Sequence, residues 1–218
     1  MAKQRRVFNP KTFLSTVGVG REMMSFRKGQ IIFAQGDASG AVFVIQSGNV
    51  RLSAKTKGGK GITFAILRDE DFVGEESIAG ETIRTASANA LTDCLLLRIA
   101  SQAMLRGLAR EVTLLKLFCF YVLARNIRYQ EDLLDQRSNF SEKRLARFLL
   151  RHSHFDGQSS PEVTMMKINH EILAEMVGTT RSRVCFFMKR FKDAGYIDYS
   201  LRNPQLRVRR SLLAFYSR

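Results

Sequence analysis

The segment from Ser101 to Gln136 contains no proline and predicts one long helix in a chain of 218 residues. Nine of its positions follow alternating steps of four and three: Leu108, Val112, Leu115, Cys119, Val122, Asn126, Tyr129, Leu133 and Gln136. This 3.5-residue repeat is typical of a coiled-coil seam, and one polar Asn on a seam commonly sets its register. We therefore expect the helix to pair with a second copy of the chain. The alternative is an ordinary core helix of one domain.

The same segment is apolar on a second face, through Leu114, Leu117, Phe118 and Tyr121. A helix that is apolar on two faces needs two partners. We expect the second face to pack against the N-terminal part of its own chain, while the seam contacts the twin.

The net charge narrows the class of partner. The chain has 35 Lys and Arg against 20 Asp and Glu residues, which gives a formal charge of +15 and a pI of about 10.3. The excess per residue is largest from Ser138 to Arg218. Such an excess is typical of proteins that contact a polyanion, so nucleic acid is the leading candidate.

Other classes of protein have little support in the sequence. No apolar run reaches the roughly 18 residues that a membrane span requires, and no secretory signal pattern is present, so we expect a cytoplasmic chain without a membrane partner. Cys94, Cys119 and Cys185 lie far apart, and the three histidines form no cluster, so neither disulfides nor a metal site is predicted. No catalytic residue is predicted, and an enzyme is not expected.

Short apolar runs separated by glycine turns extend from Phe26 to about Ile99. They predict six strands: Gln30–Ala34, Ala41–Gln46, Asn49–Ala54, Ile62–Leu67, Thr85–Ala90 and Cys94–Ile99. Before Ser101, only a short helix at Pro10–Val17 is expected. The predicted fold class is therefore α+β, with a β sandwich or roll preceding a helical half.

One segment of the β half, Phe72–Ser87, interrupts the strand pattern. It carries a Gly74-Glu75 pair and, nine residues after the glutamate, an Arg84-Thr85 pair. Backbone N–H groups, a guanidinium and a hydroxyl could together bind a phosphate, and Glu75 could accept a hydrogen bond from a sugar hydroxyl. The alternative is a surface loop with a Glu75–Arg84 ion pair.

With the glycine turns before it, this segment closely resembles the phosphate-binding cassette of the cyclic-nucleotide-binding β-roll. The resemblance implies that Gly74 and Glu75 bind the ribose region of cAMP or cGMP, and that Arg84 and Thr85 bind its cyclic phosphate. The chain departs from the family at Glu76 and Ser77, where small or apolar residues are usual. The additional acid bears on both the affinity and the identity of the ligand.

A helix-turn-helix pattern lies between Asn169 and Gly195. A small residue where two helices approach, a glycine for a left-handed turn and two apolar residues that pack the second helix have the required spacing: Ala174, Gly178, Val184 and Phe187. The alternative is an unrelated helical hairpin with a basic, solvated face. Four matches at the required spacing favour the DNA-binding motif.

The second helix of this motif carries the residues expected to contact DNA. Thr179 or Thr180 caps it, and its first turn enters the major groove. The predicted contacts here are Thr179, Thr180, Arg181, Ser182, Arg183 and Lys189. Two later segments, Tyr196–Tyr199 and Leu206–Arg209, predict a two-stranded wing, where Arg202 and Arg207 contact phosphates.

A β-roll, a long helix and a winged helix-turn-helix in this order resemble the CRP/FNR family of bacterial transcription regulators, over roughly residues 20–218. The resemblance implies an effector-controlled homodimer on a pseudo-palindromic operator, with RNA polymerase as a further partner. We divide the chain into a β-roll domain (1–107), a dimerisation helix (108–137) and a DNA-binding domain (138–218). The last of these is expected to begin with a helix, Glu142–Arg151, capped by Ser141.

Particular residues limit what the resemblance implies. Arg181 matches the family's frequent base-reading arginine, whereas Ser182 replaces a common glutamate. The first cysteine is Cys94 and the first histidine is His152, so neither the N-terminal cysteine cluster of the iron–sulfur branch nor the β-roll histidine of the haem branch is present. Gln130 and Glu131 stand at or near the positions where the cAMP-binding branch contacts the purine.

Two other functions stay open at this point. One is a constitutive DNA-binding regulator whose β-roll is degenerate and ligand-free. The other is a cyclic-nucleotide-binding regulatory subunit of an enzyme, which would leave the helix-turn-helix spacing without an explanation.

Overall fold

A computed structural model describes residues 10–59, 61–153, 160–199 and 205–216. The chain divides between Asn126 and Ile127 into two compact units. The first unit contains the β-roll, and the second contains the helix-turn-helix and its wing. The predicted α+β class, with a β-roll, a long helix and a winged helix-turn-helix in this order, is confirmed.

The β-roll contains eight described strands: β1 (Arg21–Phe26), β2 (Ile31–Phe33), β3 (Ala41–Ser47), β4 (Val50–Lys55), β5 (Gly61–Leu67), β6 (Phe72–Val73), β7 (Ser87–Ala90) and β8 (Cys94–Ala100). They form two antiparallel sheets with the orders β1-β8-β3-β6 and β2-β7-β4-β5. The six predicted strands are confirmed. The strands β1 and β6 were not predicted; β6 has only two residues.

Strand β3 shows how the roll is packed. Phe43 and Ile45 face the core between the two sheets, whereas Val42 and Val44 face a second apolar cluster. Successive side chains of a strand point to opposite faces, so a strand that is buried at every one of these positions must be covered on both sides. The long helix supplies part of the second cover through Leu114, which is fully buried.

The predicted single helix from Ser101 to Gln136 is wrong at its beginning. The segment forms two helices, α2 (Ser101–Arg110) and α3 (Val112–Ser138), which are separated by the extended residue Glu111 (φ −122°, ψ 95°). The short helix predicted at Pro10–Val17 is present as α1, which covers only Pro10–Phe13. Leu108 was predicted on the seam, but it is buried in the second cluster. The break lets Leu108 of α2 and Leu114 of α3 enter the same cluster, which a straight helix would place on different faces.

The second apolar face of α3 packs as predicted. Leu117, Phe118 and Tyr121 contact the cluster that contains Leu114. The ring of Phe72 lies 5.3 Å from that of Phe118 and 4.9 Å from that of Tyr121, measured between centroids. Both are within the range of favourable aromatic pairs. The seam positions on α3 are exposed, except for the half-buried Tyr129.

The second unit contains α4 (Ser141–His152), β9 (Glu162–Met166), α5 (His170–Val177), α6 (Arg181–Asp193), β10 (Ile197–Tyr199), β11 (Gln205–Arg209) and α7 (Leu212–Tyr216). The predicted wing strands are present, but β9 adds an unpredicted third strand in the order β10-β11-β9, and α7 was also unpredicted. The predicted N-cap is wrong: Ser141 is the first residue of α4 and is buried, and Phe140 occupies the N-cap position without a side-chain hydrogen bond. The domain limits at 107/108 and 137/138 stay a prediction.

Candidate functional site

The turn between α5 and α6 has the conformation that the sequence predicts. Gly178 ends α5 in the left-handed region (φ 68°, ψ 47°), which glycine adopts without steric cost. Of the two predicted caps, Thr180 is the cap of α6, since its side chain accepts a hydrogen bond from the backbone N–H of Arg183 at 3.3 Å. Thr179 instead donates its backbone N–H to Ala174 O at 2.9 Å.

The two helices are held by the residues that defined the motif. Ala174, Val184 and Phe187 are all buried, together with Met188 and Phe191 of α6. Burial of one face of α6 in this way leaves the opposite face in solvent. The predicted packing of the helix-turn-helix is confirmed.

The exposed face of α6 begins with the predicted DNA contacts. Arg181, Ser182 and Arg183 are exposed in its first turn, and Lys189 is exposed further along. Within the described part of the chain, neither Arg181 nor Lys189 forms an ion pair, whereas Arg190 pairs with Glu142 at 3.1 Å. The cations best placed to meet a phosphate or a base edge are therefore on the outer face.

Two residues on this face were missed by the sequence reasoning. Cys185 is exposed, and Phe186 exposes 62% of its surface although it is a large apolar residue. Their positions, three and four residues after Ser182, put them on the predicted DNA face, and this spacing is the signal that could have identified them. An apolar ring at this position could contact the methyl group of a thymine.

The wing arginines are more constrained than predicted. Arg207 is exposed, but its guanidinium lies 3.5 Å from Glu162 and 3.4 Å from Asp198. A phosphate would therefore compete with two carboxylates for Arg207. Arg202 lies outside the described residues, so its predicted phosphate contact stays a prediction.

His170, the first residue of α5, links the two helices. Its Nδ1 lies 3.1 Å from Sγ of Cys185, and its Nε2 is buried without a hydrogen-bond partner. Burial lowers the pKa of His170, and the positive charges of Lys167 and Arg181 lower it further. Both effects oppose protonation of the imidazole in the folded chain.

Acidification should consequently destabilise this unit through His170. Below about pH 6.5 the unfolded chain binds a proton that the folded imidazole resists, so the free energy of unfolding falls as the pH falls through the folded pKa. Urea unfolding between pH 8 and pH 5 should show a smaller loss of stability in His170→Gln than in the wild type. Equal losses in both proteins would contradict this assignment.

The predicted cassette begins at Gly74, directly after β6. Gly74 is left-handed (φ 79°) and precedes a short 3-10 helix, Glu75–Ser77. A Cβ at this position would lie 2.3 Å from Nη1 of Arg84, so both the backbone angle and the space favour glycine. The Gly74 carbonyl accepts a hydrogen bond from that nitrogen at 3.0 Å. The structure thus brings Gly74 and Arg84 together.

Arg84 is buried, with 3% of its surface exposed. Its Nη1 lies 3.0 Å from Oε1 of Glu76, its Nη2 donates to the Ala41 carbonyl at 2.5 Å, and its guanidinium carbon lies 4.2 Å from the centre of the Phe33 ring. The alternative Glu75–Arg84 ion pair is not what these residues form. The acid that departs from the family, Glu76, is the ionic partner of Arg84.

Glu75 turns towards α3 instead. Its Oε1 lies 2.6 Å from Nη1 of Arg125, and that nitrogen also donates to the Phe72 carbonyl at 3.1 Å. Burial raises the pKa of the Glu75 carboxyl, and the charge of Arg125 opposes the rise only in part. Arg125 was not predicted; it follows Tyr121 by four residues on the buried face of α3, which is the signal that could have identified it.

The other predicted ligand contacts are differently placed. Thr85 is exposed beside Arg84, and Gln130 is exposed on α3. Glu131 forms ion pairs with Arg147 at 3.2 Å and with Arg151. Contacts of Thr85, Gln130 and Glu131 with a nucleotide stay a prediction.

Three buried polar atoms of the cassette have no hydrogen-bond partner in the described residues: Glu75 Oε2, Ser77 Oγ and Arg84 Nε. Ser39 Oγ is a further such atom in the β-roll. Because buried polar groups are normally hydrogen-bonded, these atoms could bind a small polar molecule. A cyclic nucleotide also needs a cation for its phosphate and a carboxylate for its ribose. Both groups, Arg84 and Glu75, already have partners of opposite charge, so a cyclic nucleotide would have to compete with Glu76 for Arg84 and with Arg125 for Glu75.

Two negative findings apply to the described ranges. No helix there is long and apolar enough to cross a membrane. No group of three or more His, Cys, Asp or Glu side chains in those ranges could hold a metal ion.

Two family models match the chain, and they match the two regions described above. The cyclic nucleotide-binding domain matches residues 23–111, which include the cassette. The Crp-like helix-turn-helix domain matches residues 143–213, which include α5, α6 and the wing.

Curated relatives match most of the chain. A cyclic AMP receptor protein from Thermus thermophilus is 30% identical over 172 residues, which cover 79% of this chain and 77% of the relative. A global nitrogen regulator from Synechococcus elongatus is 27% identical over 180 residues, which cover 79% of this chain and 81% of the relative.

Solved structures share the fold. FixK2 from Bradyrhizobium japonicum aligns with a TM-score of 0.77 over 90% of this chain and 96% of that chain; at 17% identity it shows the fold alone. A CRP/FNR-family regulator from Thermus thermophilus aligns with a TM-score of 0.65 at 26% identity, over 90% of this chain and 99% of that chain.

Proposed function

The chain belongs to the CRP/FNR family of transcription regulators, and on that premise we propose that it binds a pseudo-palindromic DNA site as a homodimer. Each half-site would receive one α6 helix. The enzyme-subunit alternative is set aside, because the Crp-like helix-turn-helix domain is present. RNA polymerase stays a predicted partner.

The observation that carries the proposal is the exposed first turn of α6. Thr180 caps this turn, and Val184 anchors the next one in the core, so that the side chains of Arg181 and Arg183 are held at a fixed end of the helix while they remain in solvent. An arginine so placed can donate two hydrogen bonds to O6 and N7 of a guanine. Lys189 is proposed as a phosphate contact.

Helix α3 supports the homodimer. Its exposed surface presents two adjacent rows of side chains. The predicted row is Val112, Leu115, Cys119, Val122, Asn126, Tyr129, Leu133 and Gln136. A second row, unpredicted and more apolar, follows one residue later: Phe120, Leu123, Ile127 and Leu134, each 57–71% exposed. Pairing of two α3 helices would remove this apolar surface from water.

Two observations bear on the effector and favour different candidates. The unpaired buried polar atoms favour a small polar ligand, for which cAMP or cGMP is the candidate that the family implies. The Arg84–Glu76 and Glu75–Arg125 pairs favour a constitutive regulator with a ligand-free β-roll. Calorimetric titration of the protein with cAMP and with cGMP separates these candidates.

Selection from a pool of random duplexes tests the proposed function. The purified chain should enrich a two-fold pseudo-palindrome whose half-site centres lie about 34–36 Å apart, because two helices related by a two-fold axis enter successive major grooves. The enriched duplex is called the selected operator below. A pool that shows no enrichment would contradict the proposal.

Base reading can be tested on that duplex. Arg181→Ala and Arg183→Ala should each weaken binding to the selected operator by about 1–3 kcal/mol, because a bidentate contact with a guanine is lost. The loss should be smaller on random duplexes, as titrations by fluorescence anisotropy at one salt concentration would show. An equal loss on both duplexes would reassign that arginine to backbone positioning.

A further inference from the structure

The buried position of Arg84 requires an anion. A guanidinium removed from water is strongly destabilising unless an opposite charge and hydrogen-bond acceptors replace its hydration. In the described residues, the acceptors are the Gly74 and Ala41 carbonyls, and the opposite charge is the Glu76 carboxylate at 3.0 Å. The chain therefore supplies from within the charge that a bound phosphate would otherwise supply.

The local backbone holds Glu76 in this position. The carboxylate projects from the 3-10 helix that starts after left-handed Gly74, and the missing Cβ of Gly74 leaves space for Nη1 of Arg84. On its other side, the guanidinium is covered by the Phe33 ring at 4.2 Å. The Glu76–Arg84 contact thus joins a buried guanidinium to a partly buried carboxylate and differs from an exposed surface pair.

The neighbouring acid connects this arrangement to the helix that carries the seam. Glu75 lies 2.6 Å from Arg125 of α3, and the hydroxyl of Tyr121 and the guanidinium of Arg125 both donate to the Phe72 carbonyl. The two consecutive acids therefore form different ion pairs: Glu76 neutralises Arg84 within the cassette, and Glu75 connects the cassette to Arg125 of α3. Neither ion pair requires a ligand.

We propose that Glu76 is a built-in anion that replaces the phosphate of an effector, so that operator binding requires no cyclic nucleotide. This inference rests on the proposed function as a DNA-binding homodimer and specifies how that function is regulated. A nucleotide phosphate would compete with Glu76 for the same guanidinium, and two anions beside one buried cation repel each other.

Titration of the wild type gives the first test, and its first part, nucleotide binding, is measured without DNA. Calorimetry with cAMP and with cGMP at about 1 mM, which detects even weak complexes, should show no saturable heat. The affinity for the selected operator should be the same with and without either nucleotide. Saturable heat together with a nucleotide-dependent gain in operator affinity would overturn the inference.

Glu76→Gln gives the second test, with Glu81→Gln as its control. Glutamine keeps the size of the side chain but removes the charge, and Glu81 is an exposed acid five residues later. Glu76→Gln should lower operator affinity at least about tenfold, and cAMP or cGMP should restore it by supplying the missing anion. Glu81→Gln should behave as the wild type.

The outcomes separate this inference from the proposed function. If Glu76→Gln and Glu81→Gln both bind the operator as the wild type does and neither responds to nucleotide, Glu76 is not a built-in anion. If Glu76→Gln fails to fold, the wild-type titration decides alone. A wild type that selects no DNA site contradicts the proposed function, whereas nucleotide binding by the wild type contradicts only the role of Glu76.

Discussion

An insertion of about half a helical turn between the two half-sites of the selected operator should lower its affinity at least about a thousandfold, towards that of random DNA. The insertion rotates one half-site to the opposite side of the duplex and lengthens the spacing. Two α6 helices fixed in one dimer can then contact only one half-site. Titration of the original and the lengthened duplexes at the same salt concentration measures the loss.

The control is a duplex of the original length in which the same central base pairs are replaced. This duplex keeps the phase of the half-sites. Its binding free energy should differ from that of the original by no more than the cost of about one mismatched base pair, roughly 1–3 kcal/mol. If the lengthened duplex binds as well as this control, the two recognition helices are not fixed relative to each other, and pairing through α3 is wrong.

A charge in the apolar row of α3 should separate the two chains. Leu123→Asp places a carboxylate on the face proposed to pair, and two-fold symmetry places two of them there. Burial of unpaired charges costs several kcal/mol per ion, so the dissociation constant of the dimer should rise at least about a thousandfold. Sedimentation over a range of concentrations would show the monomer, and operator affinity should fall with it.

Ala124→Asp is the matched control, because Ala124 is exposed on α3 outside both rows. It should remain dimeric. The same substitution at Val122 separates the two rows: a larger effect at Val122 than at Leu123 would favour the predicted register, and a larger effect at Leu123 would favour the row that the structure exposes most. No effect at either position would contradict a dimer through α3.

Local sequence patterns were sufficient to predict most of the fold. Short apolar or alternating runs between glycine turns identified six strands, because each strand has at least one face in the core and is bounded by turns. The weak points were the elements whose existence depends on partners far away in sequence. Strand β9 pairs with β11 some forty residues later, and β1 pairs with β8 some seventy residues later. Neither has enough periodicity of its own to be recognised.

The helix break at Glu111 was missed for a related reason. The heptad steps continue through Leu108, Val112 and Leu115 without interruption, so periodicity favoured a single helix. Whether the segment forms one helix or two depends on the β-roll, against which Leu108 and Leu114 are buried in one cluster. Tertiary packing of this kind outweighs a local repeat.

The candidate site was predicted as a set of residues but not as a set of pairs. Spacing identified Arg84, Glu75 and the departing Glu76, and it also identified the exposed first turn of α6. It could not decide which acid meets which arginine, because that depends on the left-handed turn at Gly74 and on the approach of Arg125 from α3. The Arg84–Glu76 pair is the observation that changes the expected regulation from nucleotide-dependent to nucleotide-independent operator binding.

The mass of the saturated protein–operator complex is the measurement that decides whether a homodimer binds the two-fold site. Sedimentation equilibrium of the selected operator with excess protein, without any nucleotide, should give two chains of 24.8 kDa on one duplex. The wild type should reach this stoichiometry in one cooperative step. One chain per duplex at full affinity would contradict the homodimer and, with it, the proposed use of two recognition helices.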